Sequence, residues 1–181
     1  MEEAAITMSE RARLSVDVSE LLRHPGTSQR LRSRYEMEGI AVALARVPVD
    51  TQVLVDVRLD GLVDGVHVAG RVSGVVAMEC RRCVKIFNRD VGVEVDELFL
   101  PAAEAEEDEY TITDEEIDLE TMVRDAMVLA LPLNPVCRED CRGLCSTCGA
   151  DLNEGDCGHS AQIVDIRWHA LEKLRRDTTE G

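Results

Sequence analysis

Hydrophobic and polar residues alternate along the middle of the chain, from about residue 40 to residue 100. In residues 53–59 every odd position is valine or leucine, while Asp56 and Arg58 lie between them. The same period of two recurs in residues 66–78 and again in residues 91–99. Successive side chains of a strand point to opposite faces, so the pattern predicts three strands that each bury one face.

Turn signals separate these predicted strands. Asp60-Gly61 stands near the start of the first connection, and the segment Cys80–Cys83 stands in the second. Short connections join antiparallel neighbours, so we expect a valine-rich antiparallel β-meander or a small barrel. Cys80 and Cys83 are then expected at the end of a hairpin.

A different period follows in residues 118–131. Apolar residues recur there at intervals of three and four, which indicates an amphipathic helix. Asp118 is suited to cap the N-terminus of this helix, and Pro132 ends it. We expect the helix to cover one face of the sheet.

The two flanking segments have weaker patterns. Residues 1–39 contain an arginine-rich run, which predicts a short helix and an extended arm. Residues 136–181 contain a cysteine-rich stretch and then, from Asp165, a short helix with Trp168. The chain is therefore predicted to be an α+β protein, in which a β-rich domain of residues 40–135 precedes a small C-terminal zinc-binding module.

The chain is strongly acidic, with a formal net charge of −16. Ten acidic residues fall between positions 104 and 120, and we expect residues 101–116 to form a solvated acidic loop. This charge argues against the whole protein acting as a nucleic-acid clamp, and the few aromatic residues argue against base stacking. Local basic clusters are still candidates for contact with RNA or a partner: Arg81, Arg82, Lys85, Arg138 and Arg142.

Cysteine is the residue type that points most directly to chemistry. Two residues between thiolates allow one tight turn to aim both sulfurs at a Zn²⁺ ion, as in Cys145-Ser-Thr-Cys148-Gly149. Seven cysteines and one histidine form the candidate ligand set: Cys80, Cys83, Cys137, Cys141, Cys145, Cys148, Cys157 and His159. Eight ligands suffice for one or two tetrahedral structural zinc ions with no open position for water.

Disulfides are the main alternative to zinc. The N-terminal residues show no secretory signal, so we expect a cytoplasmic protein whose thiols stay reduced. The cysteine count of seven is also odd, which would leave one thiol unpaired in a full disulfide scheme. No apolar run approaches the roughly 18 residues of a membrane span, so no membrane association is expected.

Two ligand arrangements are compatible with the spacing. In the local arrangement, Cys145 and Cys148 take their remaining two ligands from Cys137, Cys141, Cys157 and His159. In the other, Cys80 and Cys83 share one ion with Cys145 and Cys148, and the remaining four ligands form a second site. A redox role for Cys80 and Cys83 is a further alternative, although the thioredoxin-like motif belongs beside a βαβ unit that this pattern lacks.

Several of these motifs together resemble the YceD family. They are Cys80-Arg-Arg-Cys83, Asp118-Leu119 with Arg124-Asp125, Leu131-Pro132 with Pro135, the string from Cys137 to Asn153, and Cys157, with His159 standing where many relatives have cysteine. The resemblance implies a non-enzymatic factor in large ribosomal subunit biogenesis that supports accumulation of 23S ribosomal RNA. It also implies the pre-ribosomal large subunit as partner, through ribosomal RNA or basic ribosomal proteins, with no small-molecule substrate. A zinc-ribbon interaction adaptor without RNA involvement is the alternative.

Overall fold

The computed structural model describes residues 14–106 and 109–159. The predicted C-terminal helix from Asp165 lies outside these residues. The chain divides into two compact units. The first extends to Arg81 and includes Lys85–Cys137, and the second consists of Arg82–Val84 and the chain from Arg138 onward.

The first unit is mostly β, with one curled sheet and few helices. Its nine strands in the described residues are β1 (Ser15–Asp17), β2 (Ser28–Glu36), β3 (Ala41–Val42), β4 (Ala45–Arg46), β5 (Gln52–Gly61), β6 (Val66–Glu79), β7 (Ile86–Pro101), β8 (Tyr110–Thr113) and β9 (Glu116–Asp118). Its two helices there are α1 (Ser19–Arg23) and α2 (Leu119–Ala130).

The long antiparallel hairpin of β6 and β7 is the centre of this sheet. It is paired from Val66 opposite Phe99 to Glu79 opposite Ile86. The other edge of β6 is shared, because β5 pairs with its first half and β4 with its second half. Strand β2 pairs only with β5 and so forms one edge of the sheet.

The alternating pattern predicts the buried face of these strands correctly. Odd positions of β5 are buried from Val53 to Leu59, and even positions of β6 are buried from Val66 to Met78 except for two half-buried glycines. Antiparallel register places these valines side by side, and they form one hydrophobic core with Phe99. A sheet with one apolar face needs cover on that face.

Helix α2 supplies cover for the core, as the sequence predicts. Its buried residues Leu119, Met122, Val123 and Met127 belong to the same hydrophobic core as the strands. The Asp118 side chain accepts a hydrogen bond from the backbone N–H of Glu120 at 2.8 Å, so the predicted N-cap is present.

The region after β7 differs from the expected antiparallel meander and acidic loop. Strands β7 and β8 are parallel, with Phe99 opposite Tyr110. Their rings stack with centroids 5.2 Å apart. The acidic segment also contains β8 and the start of β9, so only part of residues 101–116 is loop. Alternating Tyr and Thr favour a strand there despite the surrounding charge.

The arginine-rich N-terminal segment also differs from the expected arm. Residues 28–36 form β2, which is paired along its whole length from Ser28 opposite Asp60 to Glu36 opposite Gln52. Ahead of it, β1 pairs with β9, and α1 buries Leu21. Pairing with β5 gives these residues backbone hydrogen bonds that an isolated arm would lack.

The second unit contains little regular structure. Within residues 82–84 and 138–159 there is no helix, and only an isolated bridge joins Leu144 to Asp151. Backbone hydrogen bonds outside regular structure hold this chain instead. Some close turns, such as Gly149 N–H to the Cys145 carbonyl at 2.8 Å, and one joins the two segments, from Leu144 N–H to the Arg82 carbonyl at 3.0 Å. The described residues of this unit bury few apolar side chains apart from cysteine.

Candidate metal centre

The eight predicted ligands fall into two groups of four. The four-cysteine cluster consists of Cys80, Cys83, Cys137 and Cys141, and the histidine cluster consists of Cys145, Cys148, Cys157 and His159. Within each group, one ligand atom from every residue lies within 4.8 Å of the others. A tetrahedral Zn²⁺ with bonds of about 2.3 Å separates its sulfur ligands by about 3.8 Å. Each cluster can therefore hold a metal ion.

The grouping favours the local arrangement for Cys145 and Cys148, whose candidate partners Cys157 and His159 come from the nearby chain. Cys80 and Cys83 lie with Cys137 and Cys141 instead of with Cys145 and Cys148, a combination that neither arrangement named. Sequence spacing could not resolve this, because each of the four pairs supplies two ligands and its spacing does not specify which other pair lies beside it.

The two C-x-x-C turns have the same backbone geometry. The N–H of Cys80 donates to the carbonyl of Lys85 at 2.9 Å, and the N–H of Cys145 donates to the carbonyl of Ala150 at 2.8 Å. The residue after the second cysteine is left-handed in both turns, with φ of 61° at Val84 and 75° at Gly149. Each turn therefore has the tight backbone that a zinc knuckle requires.

Hydrogen bonds favour the thiolate form of Cys145 in the histidine cluster. The backbone N–H groups of Cys148 and Thr147, followed by the Cys157 thiol, lower the pKa of Cys145 to about 6. The pKa of Cys157 is raised, because the hydrogen bond to Cys145 and burial outweigh the opposing N–H of His159. Since metals bind thiolates, a low Cys145 pKa suits a ligand. Cys148 and His159 are exposed.

Asn153 supports the four-cysteine cluster from within the second unit. Its side-chain nitrogen donates to the Cys141 sulfur at 3.6 Å, and its oxygen accepts from the backbone N–H of Arg142 at 2.8 Å. The same oxygen also accepts from the Arg138 guanidinium at 2.8 Å. Hydrogen bonds of this kind orient metal ligands. Asn153 is not among the residues that the sequence predicts for the site, and its place in the motif string from Cys137 to Asn153 is the signal that could have identified it.

The predicted basic contacts have different environments. The Arg82 guanidinium donates to the carbonyls of Glu139 at 3.0 Å and Cys141 at 2.9 Å, so it holds the chain next to a ligand. Arg138 bonds to Asn153 and lies 3.3 Å from the carboxylate of Asp140. Arg81, Lys85 and Arg142 have exposed side chains. Arg82 and Arg138 thus have structural contacts in the second unit.

The donor sets fit zinc. Four cysteines, or three cysteines with one histidine, are the sets that structural Zn²⁺ sites use, and softer thiolates are poor ligands for Mg²⁺ or Ca²⁺. Cys80 and Cys83 are only 1% and 4% exposed. A redox-active pair exposes its attacking thiolate, so this burial favours a metal-binding role for them over disulfide exchange.

No helix in the described parts of the chain is long and apolar enough to cross a membrane. The longest of them, α2, has 12 residues and carries charged side chains.

Comparisons with known proteins agree with the motif resemblance. The family described as large ribosomal RNA subunit accumulation protein YceD matches residues 68–175. An uncharacterized protein of Mycobacterium tuberculosis is 35% identical over 179 residues, which cover 93% of this chain and 86% of that protein. An uncharacterized protein of Mycobacterium leprae is 32% identical over 165 residues, or 87% of this chain and 76% of its own.

A shorter match carries the name of a plant protein. The chloroplastic large ribosomal RNA subunit accumulation protein YCED homolog 1 of Zea mays is 46% identical over 44 residues, which cover 24% of this chain and 15% of the plant protein. No solved structure matches the chain. Because the family match covers more than half of the sequence, this protein belongs to the YceD family of large ribosomal RNA subunit accumulation proteins.

Proposed function

We propose that this protein is a non-enzymatic, zinc-bearing factor in large ribosomal subunit biogenesis that supports accumulation of 23S ribosomal RNA. Membership of the YceD family is the observation that carries the proposal. The partner would be the pre-ribosomal large subunit in the cytoplasm, contacted through ribosomal RNA or basic ribosomal proteins. No membrane and no small-molecule substrate enter this role.

Zinc would be structural in both clusters. Each offers four protein ligands, and a tetrahedral ion that is held by four of them keeps no position for water or substrate. The second unit buries few apolar side chains in its described residues, so hydrophobic burial alone gives it little stability. Structural zinc can supply about 10–16 kcal/mol of apparent binding free energy that is coupled to folding.

Depletion of the protein in its host tests the ribosomal role. We expect less 23S than 16S ribosomal RNA, fewer large subunits on sucrose gradients, and co-sedimentation of the tagged protein with large-subunit precursors. A Cys145→Ser/Cys148→Ser variant should not restore 23S levels, whereas a Ser146→Ala/Thr147→Ala variant in the same turn should. Normal 23S levels after depletion, with the protein absent from every ribosomal fraction, would rule out the role.

Native mass spectrometry tests the metal separately. The full chain should carry two zinc ions, one for each cluster. The Cys148→Ser variant should lose one ion and keep the other, because Cys148 belongs only to the histidine cluster. A metal-free protein with intact intramolecular disulfides, purified under reducing conditions, would contradict structural zinc.

A further inference from the structure

Five arginines lie on the solvent-facing side of the sheet in the first unit. We call this surface, formed by β2, β5 and β6, the arginine face; it comprises Arg30, Arg32, Arg34, Arg58 and Arg71. Register places them together, because Arg30 lies opposite Arg58 and Arg71 lies opposite Asp56, in strands whose alternate residues form the core. Arg30, Arg32 and Arg34 belong to the arginine-rich run of the sequence, whereas Arg58 and Arg71 join them only through strand pairing.

The guanidinium groups are the outermost charges of the arginine face. Arg30 and Arg32 have side chains that are 72% and 70% exposed, whereas Asp56 between them is 25% exposed. Asp56 accepts hydrogen bonds from Nε and Nη2 of Arg30 at 3.0 and 3.2 Å. A recessed carboxylate therefore orients this guanidinium and leaves its remaining N–H groups accessible.

The carboxylate of Asp60 orients Arg58 as Asp56 orients Arg30. Asp60 is 20% exposed and accepts from Nε of Arg58 at 2.9 Å, while the Arg58 side chain is 64% exposed. Arginine held through Nε presents a fixed pair of Nη donors, which matches the geometry of a phosphate group.

The pairing of Arg30 with Arg58 favours the binding of an anionic ligand at this surface. The two residues are directly opposite in the antiparallel ladder, where like charges destabilise the pair. Their two aspartates reduce the repulsion but do not separate the arginines. A bound phosphate that bridges the two guanidinium groups would convert the repulsion into attraction.

Two adjoining depressions run across this face, with volumes of about 490 and 300 Å³. They share Leu54, Arg71 and Ser73 in their walls. Gly92 makes room for Arg71, because a Cβ there would come within 2.5 Å of the guanidinium. Arg71 is thereby held across β7, with Nη1 bonded to Glu94 at 2.6 Å.

The chemistry of the face favours a nucleic-acid backbone over bases. None of the outward-facing positions of β2, β5, β6 and β7 holds Phe, Tyr or Trp. The imidazole of His67, which does face outward from β6, is half-buried and hydrogen-bonded to Asp96 at 2.9 Å, so the face offers bases no exposed aromatic ring to stack on. Three acidic residues, Asp90, Glu94 and Asp96, point outward from β7. Together with the exposed Glu36 at the end of β2, they limit the attractive area to the part of the face around Arg30, Arg32 and Arg34.

The net charge of −16 does not prevent such a contact. Charges separated by more than about 8 Å are largely screened at physiological ionic strength. Direct contacts between arginine and phosphate are screened much less. The acidic surface elsewhere would instead weaken binding to nucleic acid that does not seat on the arginine face.

We propose that the arginine face binds the phosphate backbone of base-paired ribosomal RNA without reading its bases. Arg32 and Arg34 make the direct contacts along the sheet edge, and Arg30 and Arg58 share a phosphate. This proposal rests on the proposed function, which it deepens by assigning the surface that meets the RNA.

Binding of the zinc-loaded full chain to a short fluorescein-labelled RNA duplex tests the proposal. The variant Arg32→Gln/Arg34→Gln removes two charges from the face, and Arg23→Gln/Arg46→Gln removes two exposed charges from other parts of the first unit. We expect the first variant to weaken binding about tenfold or more at low salt, and to lower the slope of log K against log salt by about 2. The control pair should leave both values unchanged.

A third variant separates this surface from the basic residues near the cysteines. Arg81→Gln/Arg142→Gln should retain binding to the duplex. Loss of binding in this variant, with binding intact in Arg32→Gln/Arg34→Gln, would overturn the assignment of the face. Circular dichroism and zinc content should be the same in all variants, so that misfolding is excluded.

Cell-level readouts distinguish this proposal from the ribosomal role. If the wild-type chain fails to bind RNA but still co-sediments with large-subunit precursors, the arginine face is not an RNA site and the ribosomal role stands. If Arg32→Gln/Arg34→Gln loses RNA binding and also fails to restore 23S levels in depleted cells, both proposals are supported.

Discussion

Val84 has a backbone conformation that β-branched residues rarely adopt. Its φ is 61°, in the same position of the knuckle where Gly149 has φ of 75°. The left-handed conformation costs an ordinary L-residue about 1–2 kcal/mol, and glycine much less. The knuckle hydrogen bond from Cys80 to Lys85 is present all the same. Val84 is thus a strained residue next to a ligand of the four-cysteine cluster.

Exchanging the residues at these equivalent positions tests the strain. Val84→Gly should raise the free energy of unfolding by about 1 kcal/mol, because relief of strain exceeds the added chain entropy. Gly149→Val should lower it by about 1–2 kcal/mol through the backbone alone, since a Cβ at Gly149 meets no atom within 4 Å. Urea unfolding at a fixed free zinc concentration measures both. Destabilisation by Val84→Gly would show that the valine side chain itself is needed.

Asn153 links a metal ligand to its surrounding loop at the residue scale. It holds the Cys141 sulfur and the backbone at Arg142 with one side chain. An amide is required for this, because it supplies a donor and an acceptor together.

Replacing the amide tests its effect on metal affinity. Asn153→Asp keeps the shape but loses the N–H donor to sulfur, so we expect one of the two zinc ions to bind about 10–100-fold more weakly. Competition with a chromophoric chelator measures the affinity. Asn88→Asp, at an exposed position of β7, should leave zinc affinity unchanged. Equal affinities in the wild type and Asn153→Asp would remove Asn153 from the support of the site.

The hairpin of β8 and β9 was not predicted from the sequence, because the acidic residues in this segment indicate a loop. Its two-residue turn, Asp114-Glu115, has φ of 53° and 61°. Two left-handed residues are typical of a type I′ turn, in which Asn-Gly is preferred. The sequence lacks that signal, and its acidic residues predict a loop instead. The turn forms because β9 is held in place on both sides: it also pairs with β1, and it is followed directly by α2.

Glycine in the turn should therefore stabilise the first unit. We expect Glu115→Gly to raise the free energy of unfolding by about 1 kcal/mol, because glycine adopts the required φ without strain. Glu115→Gln removes the exposed ion pair with Arg23 but keeps the backbone preference, so it should change stability by less than about 0.5 kcal/mol. Thermal unfolding of the three proteins gives the comparison, and a lower midpoint for Glu115→Gly would contradict the turn assignment.

Strands that bury one face were easier to predict than this hairpin. The valine alternation of β5 and β6 identifies both their existence and their buried faces, since burial selects the same residue type at every second position. Strand β2 lacks such a pattern, because its outward face consists largely of arginine and its inward face is only half buried. Long-range pairing with β5 decides its conformation.

The whole molecule combines two ways of gaining stability. The hydrophobic core belongs to the first unit and includes none of the eight candidate metal ligands. The second unit depends on turns and on the ligands of the two clusters. The two units should therefore respond differently to loss of metal.

Chelation tests this difference on the intact chain. After removal of zinc, we expect amide hydrogens in residues 138–159 to exchange rapidly, while those of the β6–β7 hairpin stay protected. The far-UV circular dichroism of the sheet should change little. Zinc, but not Mg²⁺, should restore protection. Continued protection of residues 138–159 without metal would contradict folding coupled to zinc.

The sequence by itself determined the valine-rich sheet, the covering helix with its Asp118 cap, and the set of eight candidate ligands. These features depend on local periodicity and on residue chemistry, which spacing along the chain expresses directly. Tertiary structure alone decided that Cys80 and Cys83 group with Cys137 and Cys141, and that arginines from three strands share one face. The cysteine grouping and the arginine face both depend on which distant segments become neighbours. Several pairings are equally compatible with the local sequence, and only the packing of the folded chain selects one of them.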